Sequence, residues 1–251
     1  MIKIIISPAK KMNVADDFPM EVTRPKFLED ARQLMDHLKG LTYEEQKRLW
    51  QCNDKIAGEN AARLRDMDLT RRLSPAVIAY EGIQYQTMAP AVMEQKALDY
   101  LGEHLYILSG FYGLLRAFDG VTPYRLEMQA KLEWDRGNLY QFWGDRLYRA
   151  LAEPGDVIVN LASKEYSKAV EPWLTPETAM VTCVFGELGG TSAKPGVRVK
   201  ATAAKMARGA MVRYLAEHGV TEPEQMKQFD WGGYRFVEEL SDERTYVFGV
   251  L

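Results

Sequence analysis

The stretch IKIIISPAKK, residues 2–11, indicates the fold most directly. Its isoleucines predict a buried β-strand over residues 2–6, and Ser7 and Pro8 mark the end of that strand. Other short runs rich in β-branched and aromatic residues predict strands at 105–108, 156–162, 179–185, 234–240 and 245–251. A short polar connection separates the last two runs, so we expect those two strands to pair antiparallel.

Helical patterns lie between the predicted strands. Apolar side chains recur at helical spacing over 27–38, 42–51, 139–152 and 201–217. Thr42 and Glu45 add a capping-box pattern at the start of the second of these segments. Strands that alternate with helices predict an α/β fold with a mixed sheet flanked by helices. Neither a repeat nor a linker divides the sequence, so we expect one domain over residues 1–251.

The composition excludes several classes of protein. Hydrophobic residues make up 47% of the 251 residues, which is enough for a large core. The formal net charge is −3, so any binding of nucleic acid must depend on a local basic patch. Two cysteines and three histidines, none at metal-ligand spacing, give no reason to expect a metal or a cofactor. Apolar runs stay far below the ~20 residues of a membrane span, and we expect a monomeric, cytoplasmic protein without membrane contact.

Three predicted strands end in a serine, namely IIIS at Ser7, YILS at Ser109 and NLAS at Ser163. Ligands of open α/β sheets bind at the carboxyl ends of the strands, so parallel neighbouring strands would place the three serines in one crevice. Asn160 belongs to the third of these motifs, and cations follow all three serines: Lys10, Lys11, Arg116, Arg125 (preceded by Tyr124) and Lys164. Alternatively, each serine only caps the helix that follows it.

Residues 190–215 carry six cations and no acid. Lys205 and Arg208 are three residues apart and share a face of the predicted helix, and Arg213 lies beside that face. Such a basic stripe is able to follow a phosphate backbone. The alternative is an ordinary solvated helix face.

The segment NDKIAGENAARL, residues 53–64, predicts two helices that meet at a sharp turn at Gly58. We expect Gly58 to adopt positive φ there, within a helix-hairpin-helix-like unit at about 42–67. Lys55 and Arg63 would flank the hairpin, and the exposed amino end of the second helix would accept a phosphate. Glu59 would weaken such binding. An ordinary hairpin that packs on the core is the alternative.

Six ordered blocks of sequence resemble the YaaA family of bacterial peroxide-stress proteins. They are IIISPAKKMN (4–13), NDKIAGENAARL (53–64), LSGFYGLLRAFDGVTPYRLEM (108–128), LYQFWGD (139–145), NLASKEY (160–166) and AKMARGAMVRYL (204–215). The resemblance implies one α/β domain of unusual topology, a positively charged cleft and a helix-hairpin-helix. It also implies binding of double-stranded DNA, a link to recombination and repair, and control of free intracellular iron.

Three functions follow from these patterns. The first is binding of double-stranded DNA, without sequence preference, by a cationic cleft. The second is an enzyme that processes a nucleobase or nucleotide in the strand-end crevice, with Lys10 as an amine nucleophile and Tyr112, Tyr124 or Trp143 stacking on a base. The third is an iron-sequestering protein that uses carboxylate ligands. We favour the first.

Overall fold

A computed structural model describes residues 1–15, 17–132, 134–191 and 194–250 of the chain. The strands are β1 (Ile2–Ile6), β2 (Lys11–Met12), β3 (Ser74–Pro75), β4 (Tyr80–Glu81), β5 (Leu105–Ser109), β6 (Gly113–Arg116), β7 (Gly120–Val121), β8 (Val157–Leu161), β9 (Ala179–Thr191), β10 (Lys194–Arg198), β11 (Arg235–Phe236) and β12 (Thr245–Val250). The helices are α1 (Leu28–Gly40), α2 (Tyr43–Trp50), α3 (Asp54–Arg65), α4 (Ala76–Ala79), α5 (Ile83–Met88), α6 (Gln95–His104), α7 (Leu139–Trp143), α8 (Arg146–Leu151), α9 (Lys164–Ser167) and α10 (Ala201–His218). Short 3₁₀ turns lie at Pro90–Val92, Glu171–Trp173, Pro223–Gln228 and Glu238–Leu240.

Within these described ranges, eight strands form the main sheet, in the order β11-β12-β9-β8-β1-β5-β6 with β10 also paired to β9. The five inner strands, from β12 to β5, run parallel, and antiparallel strands complete the sheet. The two C-terminal strands pair antiparallel, as expected, with Phe236 opposite Phe248. The protein therefore has the predicted α/β fold, with a mixed sheet flanked by helices.

Strand β1 lies inside the parallel region, between β8 and β5, and both of its faces are apolar. Ile4, Ile5 and Ile6 are fully buried, so consecutive side chains face the core on opposite sides of the sheet. A continuous apolar run of this kind is typical of a parallel strand covered by helices on both faces. β5 and β8 pair with β1 on either side, which brings the three predicted Ser-terminated strands together.

One predicted helix is interrupted. The pattern over 139–152 forms two short helices, α7 and α8, because Gly144 adopts φ of 52° between them. That conformation ends a right-handed helix, and glycine adopts it at little cost.

A helical hairpin occupies the region where the helix-hairpin-helix-like unit was expected, but its turn lies elsewhere. The predicted capping box at Thr42 is present and starts α2. Gln51 ends α2 with φ of 46°, and the Asn53 side chain accepts a hydrogen bond from the Ile56 amide at 3.0 Å to start α3. The turn therefore lies at residues 51–53.

The prediction that Gly58 forms the turn is wrong. Gly58 lies on the exposed side of α3 without positive φ, and a Cβ added there would contact nothing within 4 Å. The cap at Asn53 starts the helix one turn earlier, and buried Ala57 and Leu64 hold it on the core. One interior glycine costs about 1 kcal/mol relative to alanine, which such packing outweighs.

Helix α10 packs very closely against α5. A Cβ added to Gly209 would lie 2.1 Å from the Gln84 carbonyl oxygen, so only glycine permits this approach of the two backbones. The contact fixes the amino-terminal half of α10 beside the carboxyl end of the sheet. Among the described residues, every helix is too short or too polar to traverse a lipid bilayer.

The two helical glycines should respond oppositely to the same substitution. Gly58→Ala should raise the free energy of unfolding by about 0.5–1 kcal/mol, because alanine favours the helix and meets no neighbour. Gly209→Ala should lower it by about 1–3 kcal/mol, because the methyl group overlaps the backbone of α5. Urea unfolding of both variants measures this. A destabilised Gly58→Ala variant would contradict the placement of Gly58 in a helix.

Candidate functional site

The carboxyl ends of β1 and β8 meet through two serines. The Ser7 hydroxyl accepts a hydrogen bond from the Ser163 amide at 2.8 Å and donates one to the Ser163 hydroxyl at 3.1 Å. Because β5, β1 and β8 are parallel neighbours, the crevice predicted at this edge of the sheet is present.

The third serine does not line that crevice. Ser109 is fully buried, with 0% of its surface exposed, and its hydroxyl accepts hydrogen bonds from the Phe111 and Tyr112 amides at 3.1 and 2.9 Å. It also bonds to the Tyr124 hydroxyl at 2.6 Å. Ser109 thus caps the turn between β5 and β6, and neither lines the crevice nor caps a helix, because its side chain satisfies local amide groups.

A cavity of about 370 Å³ opens beside Ser7 and Ser163. Its walls come from five separate parts of the chain: residues 7–11 after β1, residues 81–85 at the start of α5, the loop residues 124–127, residues 163, 165 and 166 at α9, and residues 205 and 208 of α10. Five cations and three carboxylates line it, which leaves a formal excess of two positive charges. We call this cavity the strand-end pocket.

Carboxylates neutralise part of that positive charge. Lys10 pairs with Glu127 at 2.8 Å, Lys11 pairs with Glu81 at 2.7 Å, and Arg125 lies 3.4 Å from Glu127. Lys10 and Lys11 therefore each contact an acid and not one another. This arrangement holds Lys10 as a positioned cation, and the enzymatic alternative remains a prediction.

The helix α10 contributes the two cations of the strand-end pocket that have no ion pair among the described residues. Lys205 is exposed at the rim, and Arg208 extends into the pocket with its Nε buried and without a hydrogen-bond partner. Burial lowers the pKa of the Arg208 guanidinium from its ordinary value. The expectation that these residues share one face is confirmed.

Other buried polar atoms of the strand-end pocket also lack a hydrogen-bond partner. The Gln84 Nε2 and Arg125 Nε atoms donate no hydrogen bond, and Glu127 Oε1 accepts none, although it lies 3.4 Å from Arg125. Buried polar groups are nearly always hydrogen-bonded in folded proteins, so several unpaired ones around a single cavity point to a polar ligand or ordered water.

Glu165 adds a second carboxylate beside Glu127. Burial, together with the negative charge of Glu127, raises the pKa of the Glu165 carboxyl, and its Oε1 accepts a hydrogen bond from the Gln129 amide at 3.3 Å. A carboxyl of this kind is suited to accept a hydrogen bond, or a proton, from a ligand.

Tyrosines form the apolar part of the wall. Tyr85 donates a hydrogen bond to the Ser7 carbonyl at 2.9 Å, and Tyr124 bonds to Tyr80 at 2.7 Å. Burial raises the pKa of Tyr124 to about 12, so its hydroxyl is neutral at physiological pH. Tyr112 and Trp143 are fully buried, which contradicts the expectation that they could stack on a base.

Several predicted site residues lie outside the strand-end pocket. Asn160 is buried in β8, where it donates to Thr182 at 3.2 Å and accepts from the Ala162 amide at 3.0 Å. Lys164 forms an ion pair with Glu171. Both side chains are therefore hydrogen-bonded or ion-paired to other residues of the protein.

Arg116 lies away from the strand-end pocket, at the amino-terminal ends of the parallel strands. It pairs in register with Tyr106, at the start of β5, and its guanidinium donates to the Gly102 carbonyl at 3.1 Å. The reason is that β6 returns antiparallel after the turn at Ser109, so a residue that follows the serine in sequence moves away from it in space.

The basic stripe predicted over 190–215 is interrupted in the folded chain. Lys200 pairs with Glu187, and Arg213 pairs with Glu217 at 2.7 Å. The side chain of Lys194 lies outside the described part of the chain. The stretch lacks acids in sequence, but acids from neighbouring segments reach it.

The helical hairpin touches the wall of the strand-end pocket through one residue. Arg125 donates to the carbonyl of Trp50, the last residue of α2, at 3.4 Å. Arg63 of α3 and Arg125 both line a small, largely enclosed cavity, and Lys55 is exposed at the start of α3. Arg125 therefore lies between the helical hairpin and the strand-end pocket.

The acidic and amide groups of the strand-end pocket were not predicted from the sequence. Glu127 lies two residues after Arg125 and Glu165 directly follows Lys164, both within the blocks that resemble the family, but only the cations were interpreted as functional. Gln84 carries no sequence signal. Among the described residues, no group of three or more His, Cys, Asp or Glu side chains is placed to hold a metal ion.

Comparisons with known proteins show what this chain is similar to. The sequence profile of the family described as peroxide stress protein YaaA matches residues 2–240. A UPF0246 protein of Desulfitobacterium hafniense is 53% identical over 248 residues, which cover 98% of this chain and 97% of the relative. UPF0246 proteins of Lachnoclostridium phytofermentans and Lactiplantibacillus plantarum are 51% and 50% identical over 98% of this chain, covering 95% and 98% of their own lengths.

The two serines should contribute unequally to stability. Ser7→Ala removes the acceptor of the Ser163 amide and should lower the free energy of unfolding by about 1–3 kcal/mol. Ser163→Ala keeps that backbone amide bonded to Ser7 and should cost less than about 1 kcal/mol, because the Ser163 hydroxyl makes no cap bond to α9. Urea unfolding compares the two variants, and an equal or reversed order would contradict the assigned contacts.

Proposed function

The chain belongs to the peroxide stress protein YaaA family, and from this premise we propose that it binds double-stranded DNA, without sequence preference, through the cationic surface around the strand-end pocket. In this proposal the protein acts under hydrogen peroxide by protecting DNA or assisting its repair. Control of free iron belongs to the same proposed role and is supported by the family resemblance alone.

The observation that carries the proposal is the convergence of cations from distant parts of the chain. Lys10 and Lys11 follow β1, Arg125 belongs to a long loop, and Lys205 and Arg208 lie on α10, yet all line one opening. Lys205 and Arg208 have no ion pair among the described residues, so they are available to a phosphate oxygen. Lysine and arginine contacts to phosphates position a protein on DNA without reading its sequence.

The helical hairpin extends this surface. Lys55 and Arg63 are exposed on α3, and Arg63 lies beside Arg125. Glu59, which was expected to repel a phosphate from the amino end of the second helix, lies inside α3 instead. Asp54 stands in the first turn and pairs with Lys47. We therefore propose that the hairpin contributes side-chain cations, and not the amino end of its helix, to DNA.

The acidic net charge of the chain is compatible with this proposal. A total of −3 does not attract a polyanion by itself, so binding has to depend on the local excess of positive charge at the strand-end pocket. Such binding is electrostatic and releases counterions from the DNA.

Salt should weaken DNA binding strongly. If several phosphates are contacted, the affinity for a duplex of arbitrary sequence should fall by roughly tenfold or more between about 50 and 200 mM salt. Fluorescence anisotropy with two unrelated duplex sequences measures both the salt slope and the sequence preference. A flat salt response, or a strong preference for one sequence, would contradict the proposal.

Removal of the two α10 cations should weaken binding without unfolding the protein. The double substitution Lys205→Ala with Arg208→Ala should reduce duplex affinity and lower the salt slope by about two. A matched control is Lys26→Ala with Arg244→Ala, because both residues are exposed near the amino-terminal ends of the strands, away from the pocket. Equal affinity of the two double variants, at unchanged melting temperatures, would place the DNA elsewhere.

A further inference from the structure

We propose that the strand-end pocket binds a single nucleotide unit, with its phosphate held by Arg208 and Gln84 and its base held by Glu127 and Glu165. This inference rests on the proposed function, because the pocket opens within the cationic surface assigned to DNA. It goes further by naming the chemical class of ligand that enters the pocket.

The size of the pocket favours a small ligand. A cavity of about 370 Å³ falls in the range that holds compact small molecules, roughly 300–1,000 Å³. One nucleotide fits such a volume, whereas a base-paired duplex is too wide to enter. The duplex would lie across the opening, and only an unpaired or free nucleotide would reach the floor.

Unpaired donors define the part of the pocket that accepts an anion. Arg208 Nε and Gln84 Nε2 are buried without a hydrogen-bond partner, and Gln84 is only 7% exposed. Arg208 and Gln84 belong to the two helices that meet at Gly209, so their positions are fixed by the closest backbone contact between α10 and α5. A phosphate group supplies the several acceptor oxygens that these donors lack.

Carboxylates define a second part of the pocket with the opposite preference. Glu127 Oε1 is buried and accepts no hydrogen bond, although it lies 3.4 Å from Arg125, and Glu165 lies close enough for the negative charge of Glu127 to affect it. Glu127 is paired with Lys10 and Arg125, but Glu165 forms no ion pair among the described residues, so its carboxylate would repel a simple anion such as inorganic phosphate. The ligand therefore needs N–H donors as well as an anionic group, and the amino and ring N–H groups of nucleobases provide them.

Aromatic side chains form a further part of the lining. Tyr85, Tyr124 and Tyr166 all line the pocket, and base rings stack on aromatic side chains without demanding one particular base. A ligand that combines an anionic group, N–H donors and a flat ring matches the whole lining. A nucleotide has all three features.

A nucleotide in the pocket is either a free molecule from solution or an unpaired nucleotide of a DNA strand, and two experiments separate these sources. Isothermal titration calorimetry of the full chain compares a deoxynucleoside 5′-monophosphate, the matching deoxynucleoside and inorganic phosphate. Anisotropy compares a fully paired duplex with a duplex that carries one bulged nucleotide. We expect the monophosphate to bind at least tenfold more tightly than the nucleoside or inorganic phosphate. Tighter binding of the bulged duplex than of the fully paired duplex would identify a DNA strand as the source of the nucleotide.

Two variants test the assigned roles. Gln84→Leu should weaken monophosphate binding about tenfold by removing a donor, and Glu165→Met should weaken it by a similar factor by removing acceptors. Lys26→Ala, at the opposite edge of the sheet, is the control and should leave binding unchanged. If the pocket were a general anion site, Glu165→Met would tighten binding by removing a negative charge, and that result would overturn the proposal.

The outcomes separate this inference from the proposed function. Binding of paired duplex, without measurable monophosphate binding and without a bulge preference, would overturn the nucleotide pocket and leave the DNA-binding function in place. Monophosphate binding without duplex binding would support the pocket and reject that function. Inorganic phosphate that binds as tightly as the monophosphate would overturn the nucleotide assignment.

Discussion

The hydrogen bonds between Ser7 and Ser163 join the ends of two parallel strands, and the candidate site depends on this junction. The Ser7 hydroxyl accepts from the Ser163 amide at 2.8 Å, so the chain segments that leave β1 and β8 start from one fixed point. Residues 7–11 then form one wall of the strand-end pocket, and α9 forms another. Because the isoleucines of β1 are buried on both faces, the junction sits at the end of a strand that is held by close packing on both sides.

Two close backbone contacts complete the pocket around that junction. Gly209 allows α10 to approach the Gln84 carbonyl, which places Arg208 in the pocket, and a Cβ there would lie only 2.1 Å from that oxygen. Gly110 allows the loop of Arg125 and Glu127 to approach, since a Cβ at Gly110 would lie 2.7 Å from the Leu126 carbonyl oxygen. The resulting site combines cations, carboxylates and tyrosines, a mixture that suits a nucleotide better than a bare anion.

Sequence reasoning was successful where local pattern determines structure. The apolar run of β1, the capping box at Thr42 and the C-terminal antiparallel pair were predicted, because each depends on neighbouring residues. It failed at Gly58, where the cap at Asn53 starts α3 early enough to carry the helix through the glycine. The grouping of Glu127 with Glu165 was not predictable, because a loop and a helix distant in sequence bring the two together. The acids that pair with the 190–215 stripe, Glu187 and Glu217, lie just outside it in sequence, so the stripe looked unopposed only because of where its bounds were drawn.

The proposed DNA-binding surface lies at the carboxyl ends of the parallel strands, around the strand-end pocket, and extends onto α3. Hydrogen–deuterium exchange of the full chain, with and without a saturating duplex of arbitrary sequence, tests this placement most directly. We predict slower exchange on binding in residues 7–11, in residues 124–127 and in the amino-terminal half of α10. Slower exchange confined to the opposite edge, around Lys26 and Arg116, or no change anywhere at saturation, would contradict the account.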